Sequence, residues 1–148
     1  MSLKQQLLDD MKAAMKDREN GKLALSVIRM IRASIKNVEI NEKRELEEAE
    51  VQNVLVKEMK MRRDALHEFE QANRSDLAEQ TKAEMAILEK YLPKQLSEEE
   101  VRQIVRDILA THSGESLNMG AVMKLVMPKL KGQADGGVIS RIVKEELA

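Results

Sequence analysis

Gly120 and Lys124 stand one helical turn apart, just after Asn118, and the loop Gly132-Gln133-Ala134-Asp135-Gly136-Gly137 lies between Lys129, Lys131 and Arg141. The first N–H groups of a helix have no partner within it, and a glycine there lets a ligand come close. With cations nearby, such a start is suited to phosphate. Gly120, Lys124, Lys129, Lys131, Gly132 and Arg141 are therefore the candidate contacts for a polyanion such as RNA. Plainer readings stand beside this one. Gly120 would let a neighbouring helix approach, and the glycine loop would be a tight turn whose donors Asp135 caps.

Other chemistry finds less support. His67 and His112 are the only histidines, and no second ligand stands at metal-binding spacing, so both read as surface residues. The acidic runs at Glu45–Glu50 and Glu98–Glu100 read as a solvated face and a helix N-terminus. Cysteine is absent, which excludes disulfides, thiolate metal sites and a thiol nucleophile. No P-loop, G-x-S-x-G or G-x-G-x-x-G appears, so no catalytic residue, metal site or cofactor is expected.

Helices must position these residues. Leu3, Leu7, Met11 and Met15 form an i, i+4 stripe after Ser2, a candidate cap. Asn20-Gly21 breaks that helix. A second carries Leu23, Val27, Ile31, Ile35 and Val38 inward, with Arg29, Arg32 and Lys36 on its other side. Residues 41–50 read as an acidic loop. A long third helix follows with Val51, Leu55, Met59, Arg62, Leu66 and Phe69 in line. After a turn at 73–76, a fourth carries Leu77, Thr81, Met85, Leu88 and Leu92 up to Pro93. Ser97 and Glu100 make a capping box, and Leu96 with Val101 has the spacing of a hydrophobic staple, so a fifth helix starts there. It buries Val101, Ile104, Val105, Ile108 and Leu109 and closes at Gly114. A sixth, from near 116–118, carries Met119, Met123 and Met127, read as core, and Pro128 interrupts it or opens a separate turn. The last carries Val138, Ile139, Ile142, Val143 and Leu147. The predicted fold is all-α, a four-helix bundle over 1–92 followed by a three-helix bundle over 93–148.

The charge is uneven. Residues 1–38 hold eight lysines and arginines against four acids, residues 39–92 nine against fourteen, and residues 116–144 five against one. Two stretches are thus basic enough for nucleic acid in a chain of net charge −1. Phe69 and Tyr91 are the only aromatics, which excludes repeated base stacking and leaves backbone and shape of a folded RNA as the readable features. No signal-peptide core or long apolar run is present, so the expected location is cytoplasmic, with no membrane partner.

Several segments together resemble the GatB/YqeY family: residues 91–100 (YLPKQLSEEE), 118–124 (NMGAVMK) and 131–136 (KGQADG), with 27–37 (VIRMIRASIKN), Glu39-Ile40 and 74–77 (RSDL) before them. The resemblance spans nearly the whole chain. It implies four helices followed by three, and a module that also forms the tail of the B subunit of the tRNA-dependent amidotransferase. That enzyme amidates misacylated Glu-tRNA(Gln) or Asp-tRNA(Asn), and its label is carbon–nitrogen ligase with glutamine as amido-N-donor. There the tail helps hold tRNA while the chemistry lies in parts with no counterpart here. The implied partner is tRNA; the alternative is docking on an aminoacyl-tRNA synthetase or an amidotransferase component. Gln133 and Gly137 stand where the family commonly has Arg and Lys, which removes positive charge from this face.

Overall fold

The computed structural model describes residues 2–148. Among them are seven α-helices and no strand: α1 (Leu3–Lys16), α2 (Lys22–Glu42), α3 (Glu48–Gln71), α4 (Ser75–Glu89), α5 (Glu98–Thr111), α6 (Met119–Leu130) and α7 (Gly136–Leu147). A 3-10 turn, Arg18–Gly21, joins α1 to α2. The chain divides into two compact units, one ending at Leu92 and the other running from Pro93 to Ala148. Each has its own apolar core. Among the described residues no helix is long and apolar enough to cross a membrane.

In the first unit the core is built from Leu7, Val27, Ile28, Ile31, Ile35, Val51, Leu55, Met59 and Leu88, all buried. Ser2 caps α1 by accepting from the Gln5 amide at 3.1 Å. The expected α1 stripe does not hold to its end, for Met15 is 51% exposed and Ala14 is buried instead. An i, i+4 repeat turns about 40° further at each step, so it leaves the core after two turns, whereas Leu7 and Ala14, seven apart, nearly superpose. The expected loop over 41–50 is shorter. α2 runs to Glu42, Lys43 ends it in the left-handed region at φ 56°, and α3 opens at Glu48 with the Glu47 amide bonded to Glu50 Oε1 at 3.0 Å.

Arg62 is buried on α3, its guanidinium held by Glu58 Oε2 at 2.8 Å and Glu84 Oε1 at 3.2 Å. Glu58 also accepts the Ser34 hydroxyl at 2.8 Å. Burial of these charges is tolerated because each meets an opposite charge and further hydrogen bonds.

In the second unit α5 begins with the expected capping box: Glu100 N donates to Ser97 Oγ and Ser97 N to Glu100 Oε1, both at 3.2 Å. Its core is Val101, Val105 and Ile108 with Val122, Val126, Leu130, Ile139, Ile142 and Val143. On α6 the buried positions are the valines and Leu130, not the methionines. Met119 and Met123 are half-buried and Met127 is 37% exposed, the same drift of an i, i+4 row away from the core axis. Pro128 does not interrupt α6, which continues to Leu130. In the last turn proline forfeits a single bond, to the Lys124 carbonyl, so the helix tolerates it.

Candidate functional site

α6 positions three of the candidate residues. Asn118 caps it, accepting from Ala121 N at 2.9 Å, so Gly120 lies in its first turn. Gly120 is exposed, and a Cβ added there would meet only the Asn118 side chain, at an ordinary 3.5 Å. Helix packing therefore does not explain this glycine. At about 100° per residue, Lys124 lies about 40° from Gly120 and nearly opposite the buried Val122–Val126–Leu130 row. Lys124 is exposed and makes no hydrogen bond or ion pair among the described residues.

The other candidates divide. Lys129 is also exposed and unpaired, but it borders a groove shared with Ile104, Asp107 and Thr111 of α5, on another side of α6 from Lys124. Lys131 is the C-cap of α6, exposed and without an ion pair among the described residues, about 16 Å along the axis from Gly120. Gly132 has φ 78°, a left-handed conformation that glycine adopts without strain. Its carbonyl accepts from Gln95 Nε2 at 2.7 Å, so Gly132 serves the turn.

Arg141 is not a free cation. Glu98 Oε1 holds it at 2.6 Å and Glu145 Oε1 at 3.0 Å, and these bonds raise its pKa above the ordinary guanidinium value. Arg102 and Arg106 extend the pairing between α5 and α7, through Glu145 and Glu146. The hydrogen bonds from Arg102 and Arg141 lower the Glu145 pKa, and those from Arg106 and Arg102 lower that of Glu146.

Asp135 occupies the N-cap of α7 but makes no side-chain cap bond, so the expected capping by Asp135 is absent. Gly136 has open space around its Cα, while a Cβ on Gly137 would stand 3.1 Å from Asp135 Oδ2. Gln133 works as a tie within the second unit. Its side chain donates to the Lys94 carbonyl at 3.2 Å, and its own carbonyl accepts from Leu96 N at 2.8 Å. Together with Gln95 it fastens 93–97 to the α6–α7 loop. These contacts join residues 37–39 apart, and nothing in the local sequence announces them.

His67 is exposed, and His112 is the C-cap of α5 with Nδ1 3.2 Å from Glu115. No group of three potential metal-ligating side chains exists among the described residues.

Residues 4–147 match the model of the family described as Yqey-like protein. The chain belongs to that family. A protein of Pyrenophora tritici-repentis named altered inheritance of mitochondria protein 41, mitochondrial, is 31% identical over 140 residues, covering 92% of this chain and 76% of its own. The protein of the same name from Clavispora lusitaniae is 34% identical over 121 residues, 79% of this chain and 69% of its own. A glutamyl-tRNA(Gln) amidotransferase subunit of Methanobrevibacter smithii is 42% identical over 57 residues, 35% of this chain and 9% of that subunit. The likeness to the amidotransferase is thus to a small part of a much larger protein.

Proposed function

We propose that this Yqey-like protein is a tRNA-associated helical module, its seven helices grouped as a four-helix and a three-helix bundle, and that it is not catalytic by itself. The outer face of α6 would meet the RNA. The observation that carries this reading is the exposed, unfilled Gly120 with the unpaired Lys124 beside it. Glycine within a helix costs about 1 kcal/mol relative to alanine. Helix packing does not compensate here, whereas close approach of a phosphate would. Lys131 and the glycine start of α7 would extend the same basic end, and Lys129 would add charge from the α5 side. Gly132 shapes the loop. Arg141, already bonded to two carboxylates, would contribute least. The partial likeness to an amidotransferase subunit supports the choice of tRNA. On this reading the protein works in the cytoplasm, although the fungal relatives carry mitochondrial names.

Titration of purified protein against unmodified tRNA at low and moderate salt tests it. Each lysine that neutralises a phosphate steepens the salt dependence of binding by about one unit of log–log slope. Lys124→Glu with Lys131→Glu should weaken binding and flatten that slope. Absence of binding at either salt, or binding indifferent to both substitutions, removes the reading.

The alternative is docking on a synthetase or an amidotransferase component. It is favoured by Met30 and Met61, each about half exposed (51% and 55%), since thioethers adapt to many apolar partners. Protein partners recovered after nuclease treatment, and lost on Met30→Ser with Met61→Ser, would select it.

A further inference from the structure

In the first unit a groove of 530 Å³ runs between α1 and α2, and its charges are one-sided. Arg29, Arg32 and Lys36 stand along one edge at i, i+3 and i+7, within about 60° of arc and about 10 Å of helix axis. Their direction is fixed, because Ile28, Ile31 and Ile35 on the same helix are buried in the core. All three cations are exposed.

The anions nearby do not answer them. Glu39 is taken by Lys4 and by the Leu46 amide at 2.8 Å, which hold its carboxyl below the usual carboxylate range. Glu45 is the other carboxylate lining the groove. Arg29 makes no hydrogen bond or ion pair among the described residues. Lys36 makes neither, although its charge reaches Glu39 through space. Arg32 donates to the Met11 thioether at 3.1 Å, a neutral and weak acceptor. With Lys4 and Glu39 cancelling, three cations face one acid, a local charge of +2 in a chain of net −1. A chain with 26 acidic residues has left these guanidinium groups without one.

We propose that this groove binds the phosphate monoester or pyrophosphate group of a small molecule. Forked guanidinium groups match phosphate oxygens two at a time, and a lysine adds a point charge. The volume falls within the range of about 300–1,000 Å³ typical of small-ligand pockets. No aromatic ring lines the groove, so it would grip the phosphoryl end and not stack on a base. The proposal uses only residues of the first unit and is independent of the tRNA reading, which uses the second.

The test is calorimetric titration of the whole protein with inorganic pyrophosphate, with sulfate at matched ionic strength as control, followed by backbone NMR shifts. Saturable binding is expected, with shifts confined to α1 and α2. Arg29→Gln with Arg32→Gln should weaken it at least about tenfold while the melting temperature stays unchanged, since both side chains are exposed; Lys124→Gln should leave it intact. Adenosine diphosphate and a sugar phosphate in the same titration distinguish a nucleotide from a sugar as the source of the group. The proposal fails if pyrophosphate binds no better than sulfate, or if the double variant binds as well as the parent. It fails also if Arg29 and Arg32 hold tRNA while pyrophosphate is ignored, which would make the groove part of an extended polyanion track.

Discussion

Gly21 lies against the backbone of Ala14, so close that a Cβ on Gly21 would stand 2.1 Å from the Ala14 carbonyl oxygen. Its φ is −96°, so any residue could adopt the backbone conformation; proximity alone demands glycine. Ala14 is itself buried, and the obstacle is main chain that cannot swing aside. Gly21→Ala should therefore push α1 off α2 and cost about 3 kcal/mol or more, at the upper end of overpacking effects. Urea unfolding measures this, and a loss under about 0.5 kcal/mol would show that the joint yields easily.

A second prediction concerns Arg62. Truncating it to alanine leaves Glu58 and Glu84 without their guanidinium partner in a partly dry site. Breaking a buried pair from one side typically costs about 3–5 kcal/mol. Replacing Arg62 by Met and Glu58 by Gln together should recover part of that loss, because the more deeply buried of the two carboxylates is then neutral, while Glu84, 21% exposed, keeps some contact with water. A double-mutant cycle in denaturant provides the reading.

Tyr91 is the only tyrosine, so its ionisation is visible without interference. Burial, followed by its hydrogen bond to Asp10 Oδ2, raises the phenol well above its ordinary pKa of 10. A group whose folded pKa is raised lends stability that is full below the unfolded value and is lost as pH climbs through the folded one. Phenolate absorbance should thus appear only well above pH 10 and together with loss of helical circular dichroism. In urea it should appear near pH 10, and Asp10→Asn should move the folded transition down part of the way.

Glu50 shifts the other way. Its hydrogen bond from Arg44, then that from the Glu47 amide, lowers its carboxyl to about 2 from 4.5. A depressed carboxyl contributes stability that is full above the unfolded value and lost as pH falls through the folded one, here between about 4.5 and about 2. NMR titration of the Glu50 side chain should show the low midpoint, and Arg44→Gln should return it most of the way to 4.5. Because the pair is exposed, salt should blunt the effect on stability.

Legibility in the sequence follows the distance over which a contact acts. The Ser97–Glu100 box is local, three residues apart, and its helix begins where those residues require it. The seven helices and the turn at Gly114 are readable for the same reason. Arg62 stands in the α3 stripe by spacing alone, but its partner Glu84, 22 residues away, and the pairing of Arg141 with Glu98, 43 residues away, could not be seen. The Met119–Met123–Met127 row is read correctly only in part: Met119 and Met123 pack against the core, but the row lies to one side of the Val122–Val126–Leu130 face, and each step of four turns it about 40° further off, so Met127 is exposed. Within the candidate site, Gly120 and Lys124 were legible as a pair because one helix carries both. The loss of Arg141's charge to α5 was not.

The exposed glycine of α6 sets folding against binding. With open space around Gly120, alanine fits without strain and should stabilise the helix by about 0.5–1 kcal/mol. The same methyl group would stand where the proposed RNA backbone comes close, so Gly120→Ala should raise the melting temperature and weaken tRNA binding together. Gly136→Ala, equally unhindered, offers the comparison at the start of α7. If both variants gain stability and bind tRNA as the parent does, neither glycine serves ligand approach, and Lys124 would be left as an isolated charge on a helix whose glycine has no account.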